Sequence, residues 1–205
     1  MNNNYIIIGD SITYGIGDFE TSGWSAMFKK YIVNKDDSRV CSNYAHIAGF
    51  PGATSSNILN KIEYVFNSFK HDEFNNIVIL SIGVNDARED FGKNKSSIEQ
   101  YKSNIEKIIK YILQQNAELI VLGLTRVESN IKLEFKPNKY YDNKVISEYD
   151  KNLQEMIESN SELKQKIKYI PMYDVLKNGD YIDGLHPNKS GHRKIFERII
   201  QNIGG

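Results

Sequence analysis

The stretch YIIIGDSITYG, residues 5–15, changes abruptly from an apolar run to a glycine, a carboxylate and a hydroxyl. Its isoleucines predict a strand over residues 5–8 that is covered on both faces, as the strands of parallel sheets are. Gly9 permits a tight turn at the end of that strand and leaves the hydroxyl of Ser11 accessible. The stretch therefore indicates an α/β protein with a candidate nucleophile at the carboxyl end of its first strand.

Short β-rich runs alternate with helical patterns along the rest of the chain. We predict further strands over residues 39–45, 76–82, 118–124 and 168–170, and helices over residues 24–33, 54–69, 96–115, 147–159 and 190–203. Residues 126–143 are predicted to form the longest loop. This alternation predicts parallel strands with helices on both faces, an α/β sandwich in three layers. Because 205 residues fit one domain of ordinary size, we expect residues 1–205 to form a single domain.

The composition excludes several classes of protein. Lys plus Arg equals Asp plus Glu at 26 each, which argues against a nucleic-acid surface. The single cysteine, Cys41, has no disulfide partner in this sequence and is interpreted as a structural thiol. No apolar run approaches the ~18 residues of a membrane span, and the N-terminus lacks the features of a signal peptide. We therefore expect a cytoplasmic protein.

Four polar blocks follow predicted strands or lie near the end of the chain. They are Ser11, Gly49 within AGFPGATSS, Asn85 within GVND, and the pair Asp183 and His186 within DGLHPN. In an open parallel sheet, ligands bind at the carboxyl ends of the strands. We therefore expect all four blocks to lie on one rim of the sheet.

The residue types in these blocks are those of a serine hydrolase. A serine hydroxyl attacks a carbonyl only when a base takes its proton, and that base is normally a histidine oriented by a carboxylate. His186, with Asp183 three residues before it, would supply both for Ser11. The developing oxyanion needs fixed donors, which the backbone N–H groups of Ser11 and Gly49 and the side-chain amide of Asn85 would provide.

The other three histidines are weaker candidates for a functional role. His46 lies near the end of the second predicted strand, where it would line the site, but no carboxylate orients it. His71 is predicted to be solvated, and His192 is predicted to lie on the surface of the last helix. No pair of histidines has the spacing of metal ligands, so we predict neither a metal site nor a cofactor.

Together these motifs resemble the SGNH hydrolases, the GDSL-type esterase/lipase family. The resemblance rests on Gly9-Asp10-Ser11-Ile12 followed by Thr13, on Gly49, on Gly83-x-Asn85-Asp86, and on Asp183-x-x-His186-Pro187. It implies a flavodoxin-like α/β/α fold with a five-stranded parallel sheet. It also implies that Ser11 is the nucleophile, that Ser11, Gly49 and Asn85 form the oxyanion hole, and that His186 is the base oriented by Asp183. Ile12 replaces the leucine of the family motif, and Arg126 stands where relatives often carry proline.

The resemblance implies a serine esterase that acts on a small-molecule carboxylic ester. A carbohydrate O-acetylesterase, a lysophospholipase or thioesterase, and a general short-chain esterase all use such a site. The lack of an extended apolar lid segment favours short acyl groups.

The loop over residues 126–143 is expected to select the ester. Its candidate substrate-binding residues are Arg126 and Tyr141. Lys132 would help Arg126 to bind an anionic group of the substrate, and Phe135 and Tyr140 would form part of the pocket lining.

Three other interpretations were tested against the same residues. A haloacid-dehalogenase-like phosphatase needs a second acid two residues after Asp10, where Ile12 stands. A phosphate-binding loop needs Gly-Lys-Ser/Thr, but Gly15 is followed by Ile16. A non-catalytic flavodoxin-like binding module remains open, and hydrolysis of p-nitrophenyl acetate discriminates it from an esterase.

Overall fold

The first strand lies in the middle of a sheet whose five strands all run parallel. The computed structural model of the chain describes residues 2–34, 43–129, 131–133 and 136–203. Cys41 and Phe135 lie outside the described residues, as does the side chain of Lys132. The strands are β1 (Asn3–Gly9), β2 (Asn43–Gly49), β3 (Asn75–Ser81), β4 (Glu89–Asp90), β5 (Lys93–Asn94), β6 (Glu118–Leu122), β7 (Ile131–Leu133), β8 (Lys136–Tyr141) and β9 (Ile167–Ile170).

The main sheet has the strand order β2-β1-β3-β6-β9, which confirms the predicted α/β fold with a five-stranded parallel sheet. The helices are α1 (Ser11–Tyr14), α2 (Gly23–Asn34), α3 (Ser55–Leu59), α4 (Ile62–Phe69), α5 (Ile98–Gln114), α6 (Asn143–Glu158), α7 (Ser161–Lys166) and α8 (Lys189–Ile203).

Helices cover both faces of this sheet because its strands are apolar on both. From β1, Ile6 and Ile8 belong to a core with α3, α4, α5 and α6. The alternate residues, Tyr5 and Ile7, face the opposite core with α2 and α8. A fully buried isoleucine contributes about 1.5–3 kcal/mol to stability, so the central strand anchors both layers. Among the described helices, none is long and apolar enough to cross a membrane.

Three predicted elements differ from the structure by four residues at one end or by a break within the element, whereas the other predicted strands and helices agree within two residues. The second strand reaches Gly49, four residues beyond the predicted end, because β2 pairs with the whole of β1 at the edge of the sheet and alternates polar with apolar residues. The helix predicted over residues 54–69 is divided, since α3 ends at Leu59 and α4 begins at Ile62. Helix α6 begins at Asn143 rather than at residue 147, because Asp142 caps it by accepting from the Lys144 N–H.

The prediction of an irregular loop over residues 126–143 is wrong. This segment contains β7 and β8, which join β4 and β5 in a second, four-stranded sheet of order β5-β4-β8-β7. Its pairs are antiparallel, and they join Glu89 to Tyr140 and Asp90 to Lys139. Strands as short as β4, β5 and β7 leave no detectable periodicity, and the pairing of β4 with β8 joins segments far apart in the sequence, so the second sheet was missed.

Candidate active site

Two glycines let the carboxyl ends of β1 and β2 support the segment that carries Ser11. A Cβ atom on Gly9 would lie 2.2 Å from Thr13 Oγ1, and one on Gly49 would lie 2.5 Å from the backbone nitrogen of Tyr14. Gly9 and Gly49 are partners in the sheet, so helix α1 sits directly on this pair of strand ends. Glycine is therefore required at both positions because α1 approaches the two strand ends closely. This requirement adds to the turn that the sequence predicts at Gly9.

Ser11 is the first residue of α1, and its hydroxyl faces a histidine from the other end of the chain. Asp10 caps this short helix, since its Oδ1 accepts from the Ile12 N–H at 2.9 Å. The Ser11 Oγ atom lies 3.0 Å from Nε2 of His186. The structure thus brings together two residues that are 175 positions apart in the sequence.

Asp183 orients His186 through both of its carboxylate oxygens. Oδ2 lies 2.7 Å from His186 Nδ1, while Oδ1 accepts from the backbone N–H groups of Leu185 and His186 at 3.0 and 2.7 Å. Burial alone would raise the pKa of Asp183, but the hydrogen bonds from the His186 ring and backbone outweigh it and lower that pKa. The carboxylate therefore accepts the Nδ1 proton, which leaves the Nε2 lone pair directed at Ser11.

Asn85 presents its side-chain amide on the same rim. Its Nδ2 donates to the Ala53 carbonyl at 3.1 Å and lies 3.4 Å from Oδ2 of Asp10, the residue before Ser11. Its Oδ1 accepts from Arg88 Nη1 and from the Tyr141 hydroxyl, both at 3.1 Å. The NH₂ group of the Asn85 amide therefore points towards Asp10, the residue before Ser11, and its oxygen points towards Arg88 and Tyr141.

Asp86 anchors the loop that carries Asn85. Its Oδ1 accepts from the hydroxyls of Ser55 and Ser96 at 2.6 and 2.8 Å, and its Oδ2 accepts from the Ser55 N–H at 2.8 Å. Burial raises the pKa of Asp86, although the hydrogen bonds from Ser55 oppose this effect. The network joins the end of β3 to the starts of α3 and α5, so the position of Asn85 is set by the core.

These side chains meet at a cleft of about 250 Å³. Ser11, Asp183, His186, Asn85 and Tyr141 line it, as expected for residues of one site. The remaining lining consists of three apolar residues, two basic residues and one glycine, namely Ile16, Pro51, Leu185, Arg88, Lys139 and Gly52.

Arg126 does not line this cleft. It is half-buried, its Nε donates to the neighbouring Val127 carbonyl at 3.3 Å, and its own carbonyl accepts from the Tyr181 hydroxyl at 2.7 Å. Sequence reasoning missed the two basic residues that do line the cleft. Arg88 carries one local signal, its position three residues after Asn85, but it begins a charged run with Glu89 and Asp90, a pattern typical of a solvated segment. Lys139 lies on β8, a strand that was not predicted.

None of the three remaining histidines lines the cleft, and each differs from its prediction. His192 was predicted to lie on the surface, but it is fully buried. Its Nδ1 accepts from the Trp24 N–H at 3.2 Å and its Nε2 donates to the Ile16 carbonyl at 3.0 Å, while burial lowers its pKa. His46 stacks on Phe69 with ring centroids 4.7 Å apart. His71 is half-buried rather than solvated, with its ring near those of Tyr44 and Phe74.

Asp10 should give the stability of the protein a specific pH dependence. Burial raises its pKa from 3.8 to about 6, against the opposing effect of the Ile12 hydrogen bond. The folded state therefore binds this proton more tightly than the unfolded state does. As pH rises from about 4 through about 6, the free energy of unfolding should fall by up to about 3 kcal/mol, because the buried carboxylate must ionise. An asparagine in its place would still cap α1. We therefore expect the unfolding free energy of Asp10→Asn, relative to wild type, to increase from pH 4 to pH 7 in urea denaturation. Parallel pH curves for the two proteins would contradict this.

The comparisons with known proteins agree with the motifs. The model of the GDSL-like Lipase/Acylhydrolase family matches residues 7–194. Similar solved structures include a carbohydrate acetylesterase from Sinorhizobium meliloti, with a TM-score of 0.77 at 13% identity and 99% of both chains covered. An acetylxylan esterase from Geobacillus stearothermophilus has a TM-score of 0.73 at 15% identity, with 98% of this chain and 94% of that chain covered.

A lipase/acylhydrolase from Enterococcus faecalis gives a TM-score of 0.71 at 22% identity, covering 99% of this chain and 95% of that one. No protein of curated function matches. At these identities the solved structures establish a shared fold, whereas the family match spans most of the sequence and includes every block of the candidate site. The chain therefore belongs to the GDSL-like Lipase/Acylhydrolase family, the acylhydrolases that its motifs resemble.

Proposed function

We propose that the protein is a serine esterase that hydrolyses carboxylic esters of short acyl groups. The observation that carries this proposal is the continuous chain from Ser11 Oγ through the His186 ring to the Asp183 carboxylate, with separations of 3.0 and 2.7 Å. Both distances are within hydrogen-bond reach, as a nucleophile and its base require. All three residues line the cleft, as does Asn85.

The proposed reaction uses this chain's residues and water. Ser11 Oγ attacks the ester carbonyl while its proton passes to Nε2 of His186, and Asp183 stabilises the imidazolium. The backbone N–H group of Ser11 and the amide of Asn85 stabilise the oxyanion. Gly49, the third donor expected from the sequence, packs against Tyr14 and does not line the cleft, whereas Gly52 does. The alcohol leaves with the proton from Nε2. A water molecule then attacks the acyl-enzyme while giving a proton to Nε2. As the acyl–serine bond breaks, Nε2 returns that proton to Ser11 Oγ, which releases the carboxylic acid and the free serine.

The small size of the cleft and the polar side chains in its lining favour a small acyl group on a polar alcohol. Its volume of about 250 Å³ lies below the usual range of drug-sized pockets. Arg88, Lys139 and Tyr141 contribute polar groups to its lining, whereas a long acyl chain would require an extended apolar surface. A carbohydrate O-acetylesterase is accordingly the second candidate, and two of the similar solved structures are named as acetylesterases of this kind.

A panel of esters tests this proposal. The p-nitrophenyl esters of acetate, butyrate, octanoate and decanoate would be compared with an acetylated xylose. We expect kcat/KM to be highest for acetate, to fall with acyl length, and to be measurable for the acetylated sugar. A preference for octanoate or decanoate would overturn the assignment to short acyl groups, and no hydrolysis of any ester would overturn the esterase proposal.

Removing the amide of Asn85 should impair the chemical step more than substrate binding. The amide is expected to meet charge that develops only in the transition state, so Asn85→Ala should lower kcat by about 10²–10³-fold with little change in KM. Steady-state kinetics on p-nitrophenyl acetate measures both. Asn67→Ala, which changes an exposed asparagine on α4, is the control. An unchanged kcat with a raised KM would instead make Asn85 a ground-state binding residue.

A further inference from the structure

We infer that Arg88 and Tyr141 are positioning residues that hold the Asn85 amide in the orientation needed for catalysis. The inference rests on the proposed function, since it assumes that Asn85 stabilises an oxyanion. It deepens that proposal by giving a role to the second sheet, which contains Tyr141 and the Asp90 partner of Arg88.

The two donors at Oδ1 decide which way the amide faces. A guanidinium group can only donate hydrogen bonds, so the atom 3.1 Å from Arg88 Nη1 must be the oxygen of the Asn85 amide. The Tyr141 hydroxyl donates to the same oxygen at 3.1 Å. A flipped amide would turn its NH₂ group towards the guanidinium and leave the Ala53 carbonyl without its 3.1 Å donor. One orientation is therefore strongly favoured, with Nδ2 on the side of Asp10 and Ser11.

Arg88 is itself held rigidly. Its Nε and Nη2 donate to the two carboxylate oxygens of Asp90 at 2.6 and 2.9 Å, and only 4% of its surface is exposed. This bidentate pair uses one edge of the planar guanidinium, that of Nε and Nη2, and leaves Nη1 free to donate to Asn85. A positive charge at Oδ1 also polarises the amide, which makes the Nδ2 hydrogens stronger donors.

The second sheet places both groups beside Asn85. Asp90 lies on β4, opposite Lys139 of β8, and Tyr141 is the last residue of β8. The Tyr141 side chain is buried, so its hydroxyl is fixed by packing. The pairing of β4 with β8 thus fixes the Asp90 partner of Arg88 and the Tyr141 hydroxyl on the same side of Asn85, although the two strands are far apart in the sequence.

A double-mutant cycle tests the inference. Arg88→Met and Tyr141→Phe would each be made in the wild type and in the Asn85→Ala protein, with kcat and KM measured on p-nitrophenyl acetate. In the wild type we expect Arg88→Met to lower kcat about 10- to 100-fold and Tyr141→Phe several-fold, with KM within about twofold, because full loss of such a donor costs about 10²–10³-fold. In the Asn85→Ala protein both substitutions should have almost no further effect, because the group they position is gone.

Lys95→Met is the matched control. Lys95 contacts the same Asp90 carboxylate at 3.6 Å, but from the surface, and it should leave kcat unchanged. Should Arg88→Met fail to fold, Tyr141→Phe removes a single oxygen and gives an independent coupling to Asn85→Ala. Losses that multiply in the Asn85→Ala protein, or a raised KM at constant kcat, would overturn the positioning role.

Ser11→Ala separates the two proposals. If this variant is inactive and the cycle shows no coupling, the esterase proposal stands and the positioning role is wrong. If the wild type cleaves no ester, or if Ser11→Ala retains activity, both proposals are wrong.

Discussion

Replacing Ser11 with alanine is expected to lower kcat for ester hydrolysis by on the order of 10⁴-fold or more. The substitution removes the hydroxyl that lies 3.0 Å from His186 Nε2. It leaves the cap of α1 in place, because that cap is formed by the Asp10 side chain and the Ile12 N–H. The melting temperature should therefore change little, and the loss should appear in turnover.

The measurement is kcat on p-nitrophenyl acetate, with circular dichroism and the melting temperature to confirm folding. Ser56→Ala is the control, since Ser56 is an exposed serine of α3. It should keep wild-type turnover. A Ser11→Ala protein with turnover within tenfold of the wild type would remove Ser11 from the mechanism.

Asp183→Asn is expected to lower kcat by about 10⁴-fold at neutral pH without unfolding the protein. The Oδ1 atom of Asp183 accepts from two backbone N–H groups, those of Leu185 and His186. An asparagine must keep its oxygen at that position, so its NH₂ group takes the place of Oδ2 beside Nδ1 of His186. That ring nitrogen must then accept, which moves the ring proton to Nε2. A protonated Nε2 cannot take the proton of Ser11, so the nucleophile is not activated.

The control for this variant lies in the same connection between β9 and α8. Asp174 is exposed and pairs with Arg198 at 2.9 Å, so Asp174→Asn should leave kcat unchanged. Both variants would be compared with wild type for kcat and for the free energy of unfolding. A loss of less than tenfold in Asp183→Asn, with the protein folded, would show that Asp183 does not set the tautomer of His186.

The catalytic candidates were accessible from the sequence because each carries a local signal. Ser11 follows an apolar run directly, and Asp183 precedes His186 within a single turn. Parallel strands place their carboxyl ends on one rim, so the sequence order of these blocks was enough to predict that they meet. The five-stranded parallel sheet followed from the same alternation of strands and helices, and the structure confirms it.

The features that were missed depend on contacts between distant segments. The second sheet pairs β4 with β8, and Lys139 owes its place in the cleft to that pairing, which also places the Asp90 carboxylate that holds Arg88. Nothing in the local pattern of either segment indicates its partner.

His192 is a different case, because a signal was present. It lies three and seven positions before Ile195 and Ile199, which are buried residues of α8, and therefore shares their face of the helix. A polar residue on that face can be buried only with partners, which the Trp24 N–H and the Ile16 carbonyl provide.

The central claim is that His186, oriented by Asp183, makes Ser11 a nucleophile, and covalent labelling tests it most directly. The wild type, Ser11→Ala and Asp183→Asn would each be treated with a fluorophosphonate, which reacts with activated serines, and the modified peptide would be identified by mass spectrometry. We predict one adduct on Ser11 in the wild type, none in Ser11→Ala, and labelling slowed by orders of magnitude in Asp183→Asn. An adduct on another residue, or equal labelling of all three proteins, would contradict the account.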